Sequence, residues 1–359
     1  MEKRSGATII IPNYNYGEYI GAAIESTLAQ DYPTVEIIVV DDGSTDDSRE
    51  VIRTYGARIV SLFEKNRGQL EACRSGLLRA SNDIIMFLDS DDMLVRNAVS
   101  VVASHWRDGI SKVQFALSTV DRRGIPVGNR YPKYPKGMTP KNVRRSLLNT
   151  GCYLSPPTSG NACSRGFLER VLLNGEQLSR EMWVDTVFVT LAPLYGEVVT
   201  LDHVLGYYRS HGRNDSEVTA ITQRRFERAA RKEVERMTLL RTHCEHLGIA
   251  LAPTLLSNNA AYSQFVLAAE KLSSRNEQST FWKRVAVGRD AVVSTWRSSF
   301  GFRTRLLLAA WTLMVGISPR SIAKRLLTKR YVVETRNRWI KKVITLIVRP
   351  VGDEAGEST

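Results

Sequence analysis

Over residues 7–88 short β-branched apolar runs alternate strictly with helical patterns, and few folds accept that order. Ala7–Ile11 (ATIII) reads as a strand stopped by Pro12, and Glu18–Gln30 as a helix with Ile20, Ala23, Ile24, Thr27 and Leu28 on one face. Val35–Val40 (VEIIVV) is a second strand, and a helix follows through Tyr55, capped by Thr45 or Asp46. Arg58–Phe63, a helix over Gln69–Ala80 and the strand Asp83–Leu88 complete the series. Ile84–Leu88 is apolar without polar alternation, as in a strand covered on both faces. Alternation of this kind implies parallel strands with right-handed crossovers, a doubly wound α/β sheet whose ligands bind beyond the strands' carboxyl ends.

Acids cluster at those ends. Asp41 and Asp42 follow the second strand, and Asp89, Asp91 and Asp92 follow the fourth. If the segment after Leu88 stays extended, Asp89 and Asp91 face the same way and converge on one cation. Their hard oxygens suit Mg²⁺ or Mn²⁺ bound together with substrate phosphates. A plain acidic turn after a strand is the simpler alternative. Tyr14, Asp41, Asp42, Arg67, Asp89 and Asp91 should share one rim. The turn after the first strand, PNYNYG, lacks GxGxxG, and no Walker A loop is present, so NAD, FAD and P-loop chemistry are excluded.

IIIPNYN, IIVVDDGSTDDS, NRG and FLDSDD, in this order and spacing, closely resemble the nucleotide-sugar half of family 2 glycosyltransferases of the GT-A fold. The resemblance is strong over 7–100. It is looser through PPTSGNACSRGFLERV (156–171) and through 185–216, which is similar to the acceptor-side segment of bacterial members. It implies that Pro12, Tyr14, Asn15 and Asp42 bind the nucleotide, Tyr14 by stacking on the base and Asp42 by accepting from a ring N–H. It also implies that Asp89 and Asp91 form the DxD motif, with Asp91 a direct metal ligand and Asp89 on ribose or metal. Arg67 adds positive charge near the diphosphate, or is a surface arginine. Asp185 lies where the family places its catalytic base; as an ordinary helix cap it would need no such role. Glu181 is the rival, and Val184 stands where many relatives have an acid. The segment Tyr207–His211 is similar to the family's YRxH, which puts Arg209 and His211 near diphosphate or metal.

The expected activity is inverting transfer from a nucleotide-diphosphate sugar, UDP favoured, to a lipid-linked or cell-surface polysaccharide acceptor, with divalent metal. A metal-dependent nucleotidyltransferase is the enzyme alternative, but PNYNYG is not its glycine-rich basic loop. A non-catalytic membrane- or nucleic-acid-binding scaffold would be expected to have lost the strand-end acids.

The net charge of +13 is concentrated in the tail: between Lys283 and Arg349 sixteen Lys or Arg face two acids. Leu306–Ile317 has no charge but is too short to span a membrane, which takes about 20 residues. Tyr331–Val348 mixes Trp339 and isoleucines with Arg and Lys, as helices at an anionic membrane surface do. A basic hairpin closing on its own core is the alternative. Nucleic acid is not an expected partner, because aromatic-interleaved basic motifs are missing. The expected organisation is a catalytic domain over 1–216 (nucleotide-sugar half 1–100, acceptor half 101–216) and a helical extension over 217–275. A basic, membrane-associated region over 276–350 and a disordered tail over 351–359 follow. Anionic membrane contact is expected through 297–349. The helix expected over Glu217–Leu247 packs on the catalytic domain or on a second subunit, which leaves a homodimer open. Four scattered cysteines without CxxC and an N-terminus without a signal-peptide apolar core lead us to expect a cytoplasmic protein, peripheral on the inner face of the plasma membrane.

Overall fold

A computed structural model describes residues 6–174, 178–179, 182–211, 221–252, 255, 259–273, 281–297 and 302–332. The chain forms two compact units, one of 1–134, 138–144 and 154–211, the other of 135–137, 145–153 and 212–359.

The first unit opens with β1 (Ala7–Asn13), α1 (Gly17–Leu28), β2 (Val35–Asp41), α2 (Ser48–Arg53), β3 (Val60–Phe63), α3 (Gln69–Arg79) and β4 (Ile84–Phe87). There follow β5 (Met93–Leu94), α4 (Ala98–Ser104), β6 (Ile110–Val120), β7 (Pro126–Tyr131), α5 (Pro140–Thr150), β8 (Asn161–Ser164), α6 (Arg165–Leu168), α7 (Val184–Tyr195) and β9 (Glu197–Arg209). The sheet runs β3-β2-β1-β4-β8-β6-β9-β5, with β7 beside β6. β1 pairs in parallel with β2 and β4, and β2 with β3, which is the doubly wound half expected from the alternation. Beyond β4 the sheet is mixed, because β8 lies antiparallel to both β4 and β6, while β9 runs parallel to β6.

Every residue of β1 and β4 is buried, as strands between helical layers require. α3 lies close on β1: a Cβ at Gly76 would sit 2.4 Å from Ile10 Cγ2, so only glycine permits that approach. Phe87, the last residue of β4, stacks on Phe188 of α7 with centroids 6.1 Å apart. The helix that carries Asp185 is thereby fixed to the strand that delivers the acids.

The second unit contains α8 (Gln223–His246), α9 (Ala260–Leu272), α10 (Phe281–Arg297), α11 (Phe302–Ile317) and α12 (Arg320–Tyr331). Asn259 caps α9 by accepting the Tyr262 N–H. Phe226, Leu267, Leu272, Val315 and Leu327 belong to a shared core. Among the described residues no helix is long and apolar enough to cross a membrane. The basic segment beyond Val332, including Trp339, and the rival acid Glu181 lie outside the described residues.

Candidate active site

The rim of the parallel half is built by two loops laced together. Asp42 N–H donates to the Asn13 carbonyl at 2.8 Å, continuing the β1–β2 ladder past both strand ends. The Ser44 hydroxyl accepts from Asn13 Nδ2 and from the Asn15 N–H. Asn15, in the left-handed region at φ 58°, accepts the Thr45 N–H at 2.8 Å. Pro12 is buried inside β1, so it shapes the loop from within the sheet. Tyr14 stands outward and is 45% exposed.

Asp41 is fully buried. Burial alone would raise its carboxyl, but hydrogen bonds from Ser44, Arg49 and Asn13 outweigh it and hold the group below its ordinary value. Asp42, also buried, takes the Arg67 N–H at 2.7 Å on one oxygen and the Gly68 N–H at 2.8 Å on the other. It therefore pins the NRG turn to the start of α3. Gly43, at φ 79°, allows the turn to pass: a Cβ there would meet the Asn66 nitrogen at 2.6 Å. The Arg67 side chain is exposed and paired with Glu64.

The acids after β4 are not on an extended segment. The strand ends at Phe87, and the Asp92 N–H closes a turn onto the Asp89 carbonyl at 3.0 Å. Asp89 and Asp91 therefore sit in a turn and not, as expected, on alternate positions of an extended strand. What bends the chain is Asp92, whose side chain is drawn inward to accept from the Ser159 hydroxyl at 2.6 Å and the Arg209 N–H at 2.9 Å. Burial first, then the charges of Asp91 and Asp89, push the Asp92 carboxyl well above the ordinary carboxylate range. Asp89 and Asp91 remain half-buried: Asp89 accepts from Gln69 Nε2, and Asp91 meets His211 Nε2 at 2.9 Å. His211 stacks on Tyr19 at 4.9 Å, which fixes the plane of its ring.

Arg209 is buried under this turn. Its Nε donates to the Asp91 carbonyl, Nη1 donates to the Arg122 carbonyl, and its guanidinium lies 5.1 Å from the Tyr19 ring centroid. It holds the backbone of the acidic turn directly.

Asp185 lies in the first turn of α7, with Trp183 as the cap residue, so it is a first-turn acid and not the cap itself. Below it, Cys73 of α3 is buried; burial first, then the charges of Asp89, Asp185 and Asp42, push its thiol well up.

Lys112 carries no signature in the motifs, and Ser159 lies in the loosely similar PPTSGNACSRGFLERV segment with no role assigned to it there. Lys112 of β6 is fully buried and donates to Gln114 Oε1 (3.1 Å), Ser155 Oγ (3.0 Å) and Asn161 Oδ1 (2.8 Å). Asn161 in turn donates to the carbonyl of Pro157, in the loop that carries Ser159. The signal available in the sequence was Lys112 and Gln114 at i and i+2 in an otherwise largely apolar strand, which puts two polar groups on one covered face.

Burial pulls the Lys112 ammonium down to about 7, against the charges of Cys163 and Asp185. The unfolded value is about 10.4, so between these limits the unfolded chain holds a proton that the folded one has released, and stability rises with pH. Below about 7 the penalty is fully present. The buried thiols Cys73 and Cys163, raised in the fold, act in the opposite sense above pH ~8.5. Urea unfolding of wild type and Lys112→Met at pH 7, 8 and 9 isolates the lysine: wild type should gain on the variant by about 1 kcal/mol per pH unit. Parallel curves would show that Lys112 stays charged in the fold.

Among the described residues no group of three or more His, Cys, Asp or Glu is set to hold a metal ion. Asp89 and Asp91 nevertheless fit Mg²⁺ or Mn²⁺, which commonly bind through one or two carboxylates and complete their shell with water and substrate phosphate.

Residues 8–158 match the family model described as glycosyl transferase family 2. An uncharacterized glycosyltransferase of Nostoc sp. is 33% identical over 214 residues, 58% of this chain and 66% of that protein. The chondroitin synthase of Escherichia coli is 33% identical over 129 residues, 34% of this chain and 19% of its own length. The chain therefore spans no more than about two thirds of the length of these relatives. Among solved structures, S. aureus TarS 1–349 in complex with UDP is similar over 90% of this chain and 91% of that one, with a TM-score of 0.53 and 17% identity. That likeness speaks to the fold alone.

Proposed function

From a chain that belongs to glycosyltransferase family 2, we infer inverting transfer of a sugar from a nucleoside-diphosphate sugar to a hydroxyl of a lipid-linked or cell-surface polysaccharide acceptor. The observation that carries this reading is that β4, which leads into Asp89 and Asp91, is stacked through Phe87 on Phe188 of α7, the helix that carries Asp185. A sugar nucleotide needs a base platform, a neutralised diphosphate and a proton acceptor opposite the leaving group, and this rim offers groups for each.

The exposed ring of Tyr14 stacks on the base. Asp42 already holds two backbone N–H groups, yet each of its oxygens keeps a second lone pair for a base N–H. A UDP donor is favoured; the TarS structure similar to this fold holds that nucleotide. Asp91, with Asp89 and His211, would hold Mg²⁺ or Mn²⁺, which when bound supplies positive charge for the leaving diphosphate. Arg209 keeps the acidic turn in place beneath them. Asp185 accepts the acceptor hydroxyl proton as that oxygen bonds to the anomeric carbon. The bond from that carbon to the diphosphate breaks on the far side, and the electron pair leaves with the diphosphate. One displacement inverts the anomeric centre.

The test is nucleoside-diphosphate release from UDP-, GDP- and dTDP-sugars in the presence of a bacterial lipid extract. Release from one donor that depends on the extract supports the reading. Absence of release from every donor, in a protein shown to be folded, contradicts it.

A further inference from the structure

A helix on a protein core in water normally turns its apolar stripe inward and its polar residues outward. α11 is apolar on its outward side as well. Its inward positions are Thr304, Leu308, Ala309, Thr312 and Val315, two of the five carrying hydroxyls. Its outward positions, at three- and four-residue intervals, include Phe302, Leu306, Leu307, Leu313, Met314 and Ile317, with Phe302 60% and Ile317 75% exposed. The core it faces is apolar but holds a buried polar cluster: Gln264 of α9 donates to Thr295 at 2.9 Å and accepts from Arg330 at 2.8 Å. The outward apolar face continues onto exposed Trp296, whose ring meets Phe302 edge-on at 5.8 Å. A contiguous apolar surface of this kind marks an interaction site.

The charge around it selects the partner. Residues 302–332 contain seven Lys or Arg and no Asp or Glu, and five of them, Arg303, Arg320, Lys324, Arg325 and Lys329, are exposed, while Arg330 turns in to Gln264. Two copies meeting through this face would bring like charges together, whereas anionic headgroups neutralise them. Sixteen residues of helix reach about 24 Å, less than the ~30 Å hydrocarbon core, so α11 lies in the plane of a surface and does not cross it. We propose that the outward face of α11, with Trp296 beside it, beds into the interface of an anionic phospholipid bilayer while the adjacent Lys and Arg meet the headgroups. The proposal narrows the membrane contact expected over 297–349 to the outward face of α11, and it stands independently of the sugar-transfer reading.

The test is sedimentation of the full chain with vesicles of phosphatidylcholine alone or mixed equally with phosphatidylglycerol. The triple variant Leu306→Gln/Leu313→Gln/Ile317→Gln is run alongside; its positions face outward, and an unchanged Tm confirms its fold. Wild type should bind the mixed vesicles and bind phosphatidylcholine at least about tenfold more weakly, and the variant should lose about tenfold or more on the mixed vesicles. Binding by the variant equal to wild type would show that the basic residues alone carry attachment, and would overturn the proposal. So would absence of wild-type binding. A wild-type dimer that the variant turns into a monomer, without any vesicle binding, would assign the face to a second copy and equally overturn it.

Discussion

Asp185→Asn is expected to lower sugar transfer by about 10²- to 10⁴-fold while leaving fold and nucleotide binding as they are. The two consequences separate because the substitution removes the charge while keeping the size of the side chain. It sits in the first turn of α7, where a negative charge gains roughly 0.3–1 kcal/mol from the helix dipole, and Trp183 occupies the cap position. Its carboxylate is half-buried, with the Thr186 hydroxyl 3.4 Å away. Asparagine preserves size and hydrogen bonding but cannot take a proton from an attacking hydroxyl. Nucleoside-diphosphate release and thermal unfolding on the same preparations check both halves. A variant with near wild-type turnover would remove Asp185 from the role and turn attention to Glu181.

Arg209→Ala should have the largest effect on stability, about 3 kcal/mol or more, read as a fall in denaturation midpoint. The side chain is buried, and truncation strips hydrogen bonds from the carbonyls of Asp91 and Arg122. It also leaves Tyr19 without the guanidinium over its ring. Asp92 and its raised carboxyl lie in the same turn, so disorder there spreads to Asp89 and Asp91. Arg209→Lys should recover little, since an ammonium cannot reproduce a planar fork bonded to two separate carbonyls. An arginine whose only task was to meet a donor phosphate would give the opposite pattern, with nucleotide affinity lost and stability kept.

Much of this site was legible because β1 to β4 follow local rules: continuous apolar runs, punctuation by Gly43, and acids at the ends of β2 and β4; Pro12, expected to stop the first strand, is instead paired within β1, which runs on to Asn13. The strand and helix positions up to Phe87 agree with those rules to within a few residues. What escaped depends on partners far along the chain. Asp92 is pulled inward by Ser159 and by the backbone of Arg209, which lie 67 and 117 residues later, and no local pattern announces that bend. Lys112 becomes a buried, largely neutral-sided lysine only because β8 brings Asn161 beside β6. β8 itself, four residues reading NACS, is too short and too polar to identify in isolation. In α11 the uncharged run was visible, but which of its faces is left outward depends on packing against α9 and α10.

The central claim is a nucleotide-sugar site that works with divalent metal at Asp91, and a thermal-shift panel tests it most directly. UDP, GDP, dTDP and CMP would be added with and without Mn²⁺ to wild type and to Asp91→Ala. UDP should raise the wild-type Tm by more with Mn²⁺ than without it, as linkage requires of a ligand that binds the folded state, and Asp91→Ala should lose the metal-dependent part. Wild type that is unmoved by every nucleotide under both conditions, or an Asp91→Ala response equal to wild type, would contradict it.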